Sequence, residues 1–325
     1  MKNFLSACFA VAAGLFSITH AAAAADYPSK PVSIIVGFPA GQMIDLLSRV
    51  VAQGLSEETG SNFIVENRPG QGGSIALGQL KNEKPDGYAM AVAATAALAV
   101  NPHLYGETLK YDPSTDFRYA AMLGQIPFVL VTHAGSPFHS LQDVVKYARE
   151  NPGKLSYSSP GNGTLPHLGM LRLQKKLGID LLHVPYKGSP QAVQDLAAGR
   201  IDIAFDTQAL TQPLAEAGKL RMLAVTGAER LESLPGIPTM MESGAVDFTL
   251  TAWFTLALPK GAPDDVVNTL GRAIKNLMQQ DKTLEAVKKT GATPLIMTPQ
   301  EAEALVARDF GTWGVLVKEA AATVD

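Results

Sequence analysis

Val32-Ser33-Ile34-Ile35-Val36-Gly37-Phe38-Pro39-Ala40-Gly41-Gln42-Met43-Ile44-Asp45 is the stretch that decides how this chain folds. A short β-branched run ends in a Gly/Pro turn, and the apolar spacing then becomes helical. Leu46, Leu47, Val50, Val51 and Leu55 fall on one face of a helix expected from about Asp45 to Glu58, with Asp45 able to cap its start and Gly60 after its end. A strand–turn–helix start leaves N–H groups unpaired at the positive end of a helix dipole, a setting for an anionic or polar ligand. The arrangement recurs about 120 positions later, where Leu155–Tyr157 runs into Ser158-Ser159-Pro160-Gly161-Asn162-Gly163-Thr164 and a second helical pattern. Two such turns in a chain of two-domain length predict a small anion held between two lobes.

Strands and helices alternate almost throughout, which predicts an α/β class with largely parallel sheets. Strands are expected at 32–36, 62–66 and 88–92 in the first lobe. A second series is expected at 128–132, 155–157, 181–184, 201–205 and 222–225, and a long return strand at 248–258. Helix starts are legible at Ser140 with Asp143, at Ser189-Pro190 and, most clearly, at Thr298-Pro299-Gln300-Glu301. Crossovers near Gly124–Pro127 and Gly244–Thr251 would make residues 26–125 and 251–325 one discontinuous domain around a second, 126–250. A double crossover of this kind is what a hinge needs.

Lys2, the apolar run Phe4–Ile18 and the small residues Ala21–Ala25 read as a signal peptide, residues 1–25, cleaved before Asp26. Cleavage would remove Cys8, the only cysteine, which excludes disulfides and thiolate chemistry from the mature chain. Leu5-Ser6-Ala7-Cys8 spells a lipoprotein-type box, but a single apolar residue, Phe4, precedes it. Net charge moves from −3 to −4, as 26 basic residues then face 30 acidic ones. A mild negative balance with no basic cluster argues against nucleic acid or anionic membrane as a partner. A monomer is expected.

In the first turn, Phe38, Ala40, Gly41, Gln42, Met43, Ile44 and Asp45 are the candidate ligand residues. Met43 and Ile44 are costly to expose unless they pack on something such as a ligand's hydrocarbon part. In the second, Gly161 and Gly163 permit close backbone approach, and Ser159, Asn162 and Thr164 add polar groups. His167 on the following helix could reach a carboxylate, though a packed histidine is the commoner outcome. Asp206 ends a strand where open α/β sheets place their ligands, while Trp253-Phe254 reads as core or hinge packing. The six histidines show no metal spacing, and no phosphate loop, dinucleotide fingerprint or nucleophile elbow occurs, so no metal, cofactor or catalytic residue is expected.

Ordered motifs from Tyr27 onward resemble one family. They include Gly37-Phe38-Pro39-Ala40-Gly41, Val65-Glu66-Asn67-Arg68-Pro69-Gly70, Lys84-Pro85-Asp86-Gly87-Tyr88, Asn101-Pro102-His103-Leu104-Tyr105, Gly161-Asn162-Gly163-Thr164 and His183-Val184-Pro185-Tyr186-Lys187-Gly188. The chain resembles the periplasmic solute-binding receptors of tripartite tricarboxylate transporters. The resemblance implies a two-lobed type II periplasmic-binding-protein fold with a cleft between the lobes. The two loops would pinch a ligand carboxylate there through amides and water, Thr95, Ala96 and Asp206 would line the rest, and membrane permease subunits would be the partners. Gln42, Met43 and Ile44 depart from the family's usual glycine and hydroxyl pattern. The departure implies altered backbone freedom and a less polar or larger organic acid, aromatic acids included. A receptor for a sensor kinase, and an exported hydrolase or transferase on the same scaffold, stay open as alternatives.

Overall fold

In the computed structural model, residues 27–320 are described, so the signal-peptide reading at 1–25 lies outside them. In chain order the strands and helices are β1 Val32–Val36, α1 Met43–Thr59, β2 Phe63–Asn67, α2 Ser74–Leu80, β3 Ala89–Ala94, α3 Asn101–Tyr105, β4 Phe117–His133, α4 Leu141–Glu150, β5 Ser156–Ser159 and α5 Leu165–Leu177. There follow β6 Leu182–Pro185, α6 Ser189–Ala197, β7 Ile203–Thr207, α7 Gln208–Glu216, β8 Leu220–Val225, β9 Thr251–Pro259, α8 Asp264–Leu277, α9 Asp281–Lys289 and α10 Pro299–Glu319.

The local signals work as their chemistry requires. At Thr298 the side chain accepts from Glu301 N while Glu301 reaches back to Thr298 N, a complete capping box at the start of α10. Gly60 closes α1 in the left-handed region at φ 72°. Ser140 accepts from Asp143 N as the N-cap of α4. At α6 the cap falls one residue earlier than the Ser189-Pro190 reading, on Gly188, because Ser189 is already helical.

One lobe holds the sheet order β2-β1-β3-β9-β4, with β1, β2 and β3 mutually parallel and β9 antiparallel to both β3 and β4. The other holds β6-β5-β7-β4, with β8 on the far side of β4. The strand β4 belongs to both. Phe117–Pro127 pairs with β9, and from Phe128 onward the strand pairs with β7 and β8.

The first connection, expected as a crossover near Gly124–Pro127, is a continuous 17-residue strand that changes sheet at Pro127, with no loop between a first-lobe and a second-lobe strand. Pro127 has no N–H to give to a ladder, so it marks the position where partners change without interrupting the extended chain. Thr226 secures this position: its Oγ1 accepts from Phe128 N at 2.7 Å and reaches Leu250 O at 2.6 Å. Thr95 does the same for the return strand, bonding Trp253 N at 2.7 Å and Trp253 O at 3.1 Å. Two buried threonines thus knit together the backbone segments that run between the lobes.

Apolar faces of α1 and α8 cover the first sheet through Leu47, Val51, Leu55, Val267, Leu270 and Ile274. Trp253 is core, 1% exposed, with its Nε1 donating to Asp309 of α10 at 2.7 Å. In the other lobe, Tyr157, Phe205 and Leu168 fill one side of the sheet, while Val193, Leu196 and Ala204 fill the opposite side.

Candidate functional site

The first candidate loop follows β1. Gly41 sits at φ +83°, a conformation that favours glycine. Gln42 does not need glycine: at φ −74° and ψ 160° it is ordinary extended backbone, so the expected change in backbone freedom at this position does not arise. Helix α1 starts at Met43, and the N–H groups of Met43, Ile44 and Asp45 occupy its first turn, where no preceding turn supplies acceptors.

The side chains of this loop are not all where the sequence suggested. Ile44 is 3% exposed and packs in the core of the first lobe rather than toward a ligand, and Met43 is half-buried against the same core. The cost of exposing them is met by the protein itself.

Asp45, 1% exposed, spends its carboxylate inside the loop. It accepts from Gly41 N at 2.8 Å, from Asn67 Nδ2 at 2.8 Å and from Arg49 Nε at 3.0 Å, with a second Arg49 nitrogen at 2.9 Å. Burial opposes ionisation, but the hydrogen bonds from Arg49, Gly41 and Asn67 outweigh it and hold the carboxyl below its ordinary range. Asp45 is thus the organiser of the loop and not a free ligand group. Asn67, which the sequence reading did not single out, also donates to Phe38 O at 3.0 Å. What remains outward is the exposed Ala40, Gly41 and Gln42, together with the half-buried Phe38.

The second loop follows β5. Gly161 and Gly163 lie at φ 144° and 72°. Their hydroxyl neighbours turn inward: Ser159 Oγ lies 3.1 Å from Gly161 O, and Thr164 Oγ1 donates to the same carbonyl at 2.8 Å. Neither hydroxyl is the free ligand donor the sequence suggested. Gly163 N donates to His167 Nδ1 at 3.1 Å. His167 is 6% exposed and stacks on His183 at 4.1 Å, so the packed reading of this histidine is the one the structure takes. Burial, with His183 beside it, pushes the His167 imidazole down to about 4. The outward group of this loop is the exposed Asn162, and behind it lie the free N–H groups of the first turn of α5, those of Leu165 and His167.

A series of contacts joins the two loops. A Cβ built at Gly163 would stand 2.7 Å from Leu104 Cδ1, so the second loop rests on α3 of the first lobe. Helix α3 opens at Asn101, whose Nδ2 donates to Gln71 O and to Ser74 Oγ, each at 2.9 Å. The adjoining Gly73 stands against Phe38, 3.3 Å from a Cβ position to Cε2, and against Ala97. Leu104 and Asn101 lie in a motif that carried the family resemblance, but their bridging role has no sequence signal of its own.

Thr95 is fully buried and bonded to β9, so its side chain serves the junction between the strands, while Ala96 beside it is half-buried in a π-helical turn. Asp206 is 2% exposed near the end of β7. Burial pushes its carboxyl up, opposed by hydrogen bonds from Ser189 and Thr207. Two cavities elsewhere, of about 450 Å³ beside α4 and about 220 Å³ beside α10, include no residue of either loop. Among the described residues there is no group of three or more metal-ligating side chains.

Two sheets share the strand β4, and a series of contacts through Leu104, Asn101 and Gly73 joins a loop of one lobe to a loop of the other, each loop opening a helix. The chain belongs to the family described as "Tripartite tricarboxylate transporter family receptor", whose model matches residues 47–321. It is 36% identical over 290 residues, 89% of this chain and 87% of the other, to the "UPF0065 protein in gbd 5'region" of Cupriavidus necator. It is similar to the solved "R. palustris Rpa4515 with adipate" at 32% identity and a TM-score of 0.74, covering 92% of this chain and 99% of that one. It is also similar to "MatC (Rpa3494) from Rhodopseudomonas palustris with bound malate" at 26% identity and a TM-score of 0.69, covering 90% and 100%. The family is one of transporter receptors, not of enzymes. No described helix is long and apolar enough to cross a membrane.

Proposed function

We propose that this receptor is exported to the periplasm by its first 25 residues, takes up a small organic acid between its two loops and passes it to membrane permease subunits. The observation that carries the reading is the series of contacts from Gly163 through Leu104 and Gly73 to Phe38, which joins two loops that each open a helix, at Met43 and at Leu165. Free N–H groups and helix dipoles at both places favour one carboxylate shared between lobes.

Adipate and malate, the ligands named for the two similar structures, are both dicarboxylates, which supports the same chemistry here. Gln42 and Ala96 on one side, and Asn162 and Asp206 on the other, complete the contact surface, with residues 26–125 and 251–325 as one closing body and 126–250 as the other. The departure at 42–44 leaves the less polar or aromatic preference resting on Phe38 and Met43 alone, since Ile44 belongs to the core. Closure is stabilised only to the extent that the ligand binds the closed form better than the open one.

Thermal unfolding of the mature protein against a panel of aliphatic and aromatic acids tests this. An acid present at 100 times its Kd raises stability by about 2.7 kcal/mol. A panel that leaves the midpoint unmoved, adipate and malate included, contradicts the proposal.

A further inference from the structure

The second lobe contains a stack of three rings that the binding reading does not use. Tyr157 on β5 lies over His183 on β6 with centroids 4.7 Å apart and planes at 19°. His183 lies over His167 on α5 at 4.1 Å and 10°. Strand alternation explains the placement: in the parallel register Tyr157 pairs with His183 and Ser159 with Pro185, so Tyr157, His183 and Ser159 share one face of the sheet, the face that α5 covers.

Each histidine has one polar contact to the second loop. His167 Nδ1 accepts the Gly163 N–H at 3.1 Å, which fixes the neutral ring with its proton on Nε2. His183 Nε2 is 2.7 Å from Ser159 Oγ, and that hydroxyl meets both the carbonyl of Gly161 at 3.1 Å and its N–H at 3.3 Å. The pair therefore holds the loop at Gly161 and at Gly163, on either side of Asn162.

We infer that His167 and His183 act together as a positioning device: a neutral stacked pair that holds Gly161 and Gly163 at the φ values which aim the second loop at the ligand. The inference rests on the proposed ligand role of that loop. Neither ring touches the ligand through its bonded nitrogen. Each acts through the backbone it holds.

The surroundings keep the pair uncharged. Burial lowers both imidazoles; His183 lies between Tyr157 and His167 in the stack, and it is the one charged-group partner that adds to the lowering of His167. Among the charged residues of α5 and α10, Arg172 bonds Thr249 O, Lys175 pairs with Glu319, and Asp309 bonds Trp253 and Arg308. From the first lobe, α3 brings only the aliphatic Leu104 against Gly163. No carboxylate or cation is among the groups that shift either ring. A protonated His167 would carry a hydrogen on Nδ1 and could no longer accept from Gly163.

Two measurements test this. In ligand-free protein with 15N-labelled histidine, ring spectra should show His167 as the Nε2–H tautomer, still neutral at pH 5.5, about one unit below the ordinary imidazole value. Adipate affinity is then compared at pH 7.5 for wild type, His167→Phe, His167→Asn, His183→Phe and His183→Gln. The phenylalanine variants should bind about five- to tenfold more weakly, the loss of one aligning hydrogen bond. Asn at 167 and Gln at 183, which restore an amide at the bonded nitrogen's place, should recover most of that loss. A His167 cation at pH 5.5, an Nδ1–H tautomer, or phenylalanine variants that bind as tightly as wild type would each overturn the inference. Should wild type bind no acid at all, the receptor reading fails on its own, and the ring spectra still decide the tautomer and charge of the pair.

Discussion

Replacing Asp45 with alanine is the perturbation whose effect can be worked most fully from the structure. Its carboxylate collects hydrogen bonds from Gly41 N, Asn67 Nδ2 and Arg49. The first two are charge-assisted and short, each worth about 1–2 kcal/mol net. Arg49 is half-exposed, so its share is at most about 0.5 kcal/mol after screening by solvent. The sum predicts a loss of about 2–4 kcal/mol, read as a lower thermal or urea midpoint.

Because Asp45 also anchors Gly41 directly before the free N–H groups of α1, the affinity for an organic acid should fall in the same variant. Asp45→Asn keeps one acceptor and should recover roughly half of the stability. The pH dependence has a definite sign. A carboxyl held below its ordinary value of 3.8 stabilises the fold above that pH, and the contribution is lost as pH falls through the lower folded value. Asp45→Asn should therefore flatten the acid limb of the stability curve. An Asp45→Ala protein that unfolds at the wild-type midpoint and binds acid with the wild-type Kd would refute the reasoning.

Gly163→Ala should cost about 1–2 kcal/mol for its left-handed backbone, plus the collision of its methyl with Leu104; adding Leu104→Ala should relieve the second part and leave the first, measured as a double-mutant cycle in urea. Ile44→Thr should reduce stability by about 1–3 kcal/mol, because it buries a hydroxyl in the first-lobe core, while leaving the order of preference among acids unchanged. His167, lowered to about 4, should make the wild type lose about 3 kcal/mol of stability as pH falls from 6.5 toward 4. His167→Asn should remove the larger part of that slope and leave the share of His183, which burial also lowers, as followed by urea unfolding across the pH range.

Much of the architecture could be read from residues whose chemistry is local. Strand β1 and the helix start at Thr298 fall where β-branching and capping geometry put them, and Gly60 ends α1 as a left-handed glycine does. The first half of β4 was missed for an equally physical reason. Tyr119-Ala120-Ala121-Met122-Leu123-Gly124-Gln125 has little β-branching and is buried on both faces, so neither propensity nor alternation marks it. The backbone turns of the candidate loops were legible in Gly41, Gly161 and Gly163, which take positive φ as expected of glycine there.

The side chains of the candidate site were not, because their direction depends on contacts distant in sequence. Ile44 turns inward because the first-lobe core lies beneath α1. Asp45 is claimed by Asn67, 22 positions away. The role of His183 appears only when β5 and β6 pair and bring it over His167. Thr95 likewise looked like a cleft residue until Trp253, 158 positions later, was seen to use both bonds of its hydroxyl.

A crystal structure of the mature protein grown with adipate is the most direct measurement of the central claim. It should show a carboxylate between the N–H groups at Met43–Asp45 and those at Leu165–His167, with Gly163 seated on Leu104. Adipate found beside α4 or α10, or held by one lobe alone with the two loops apart, would contradict the account.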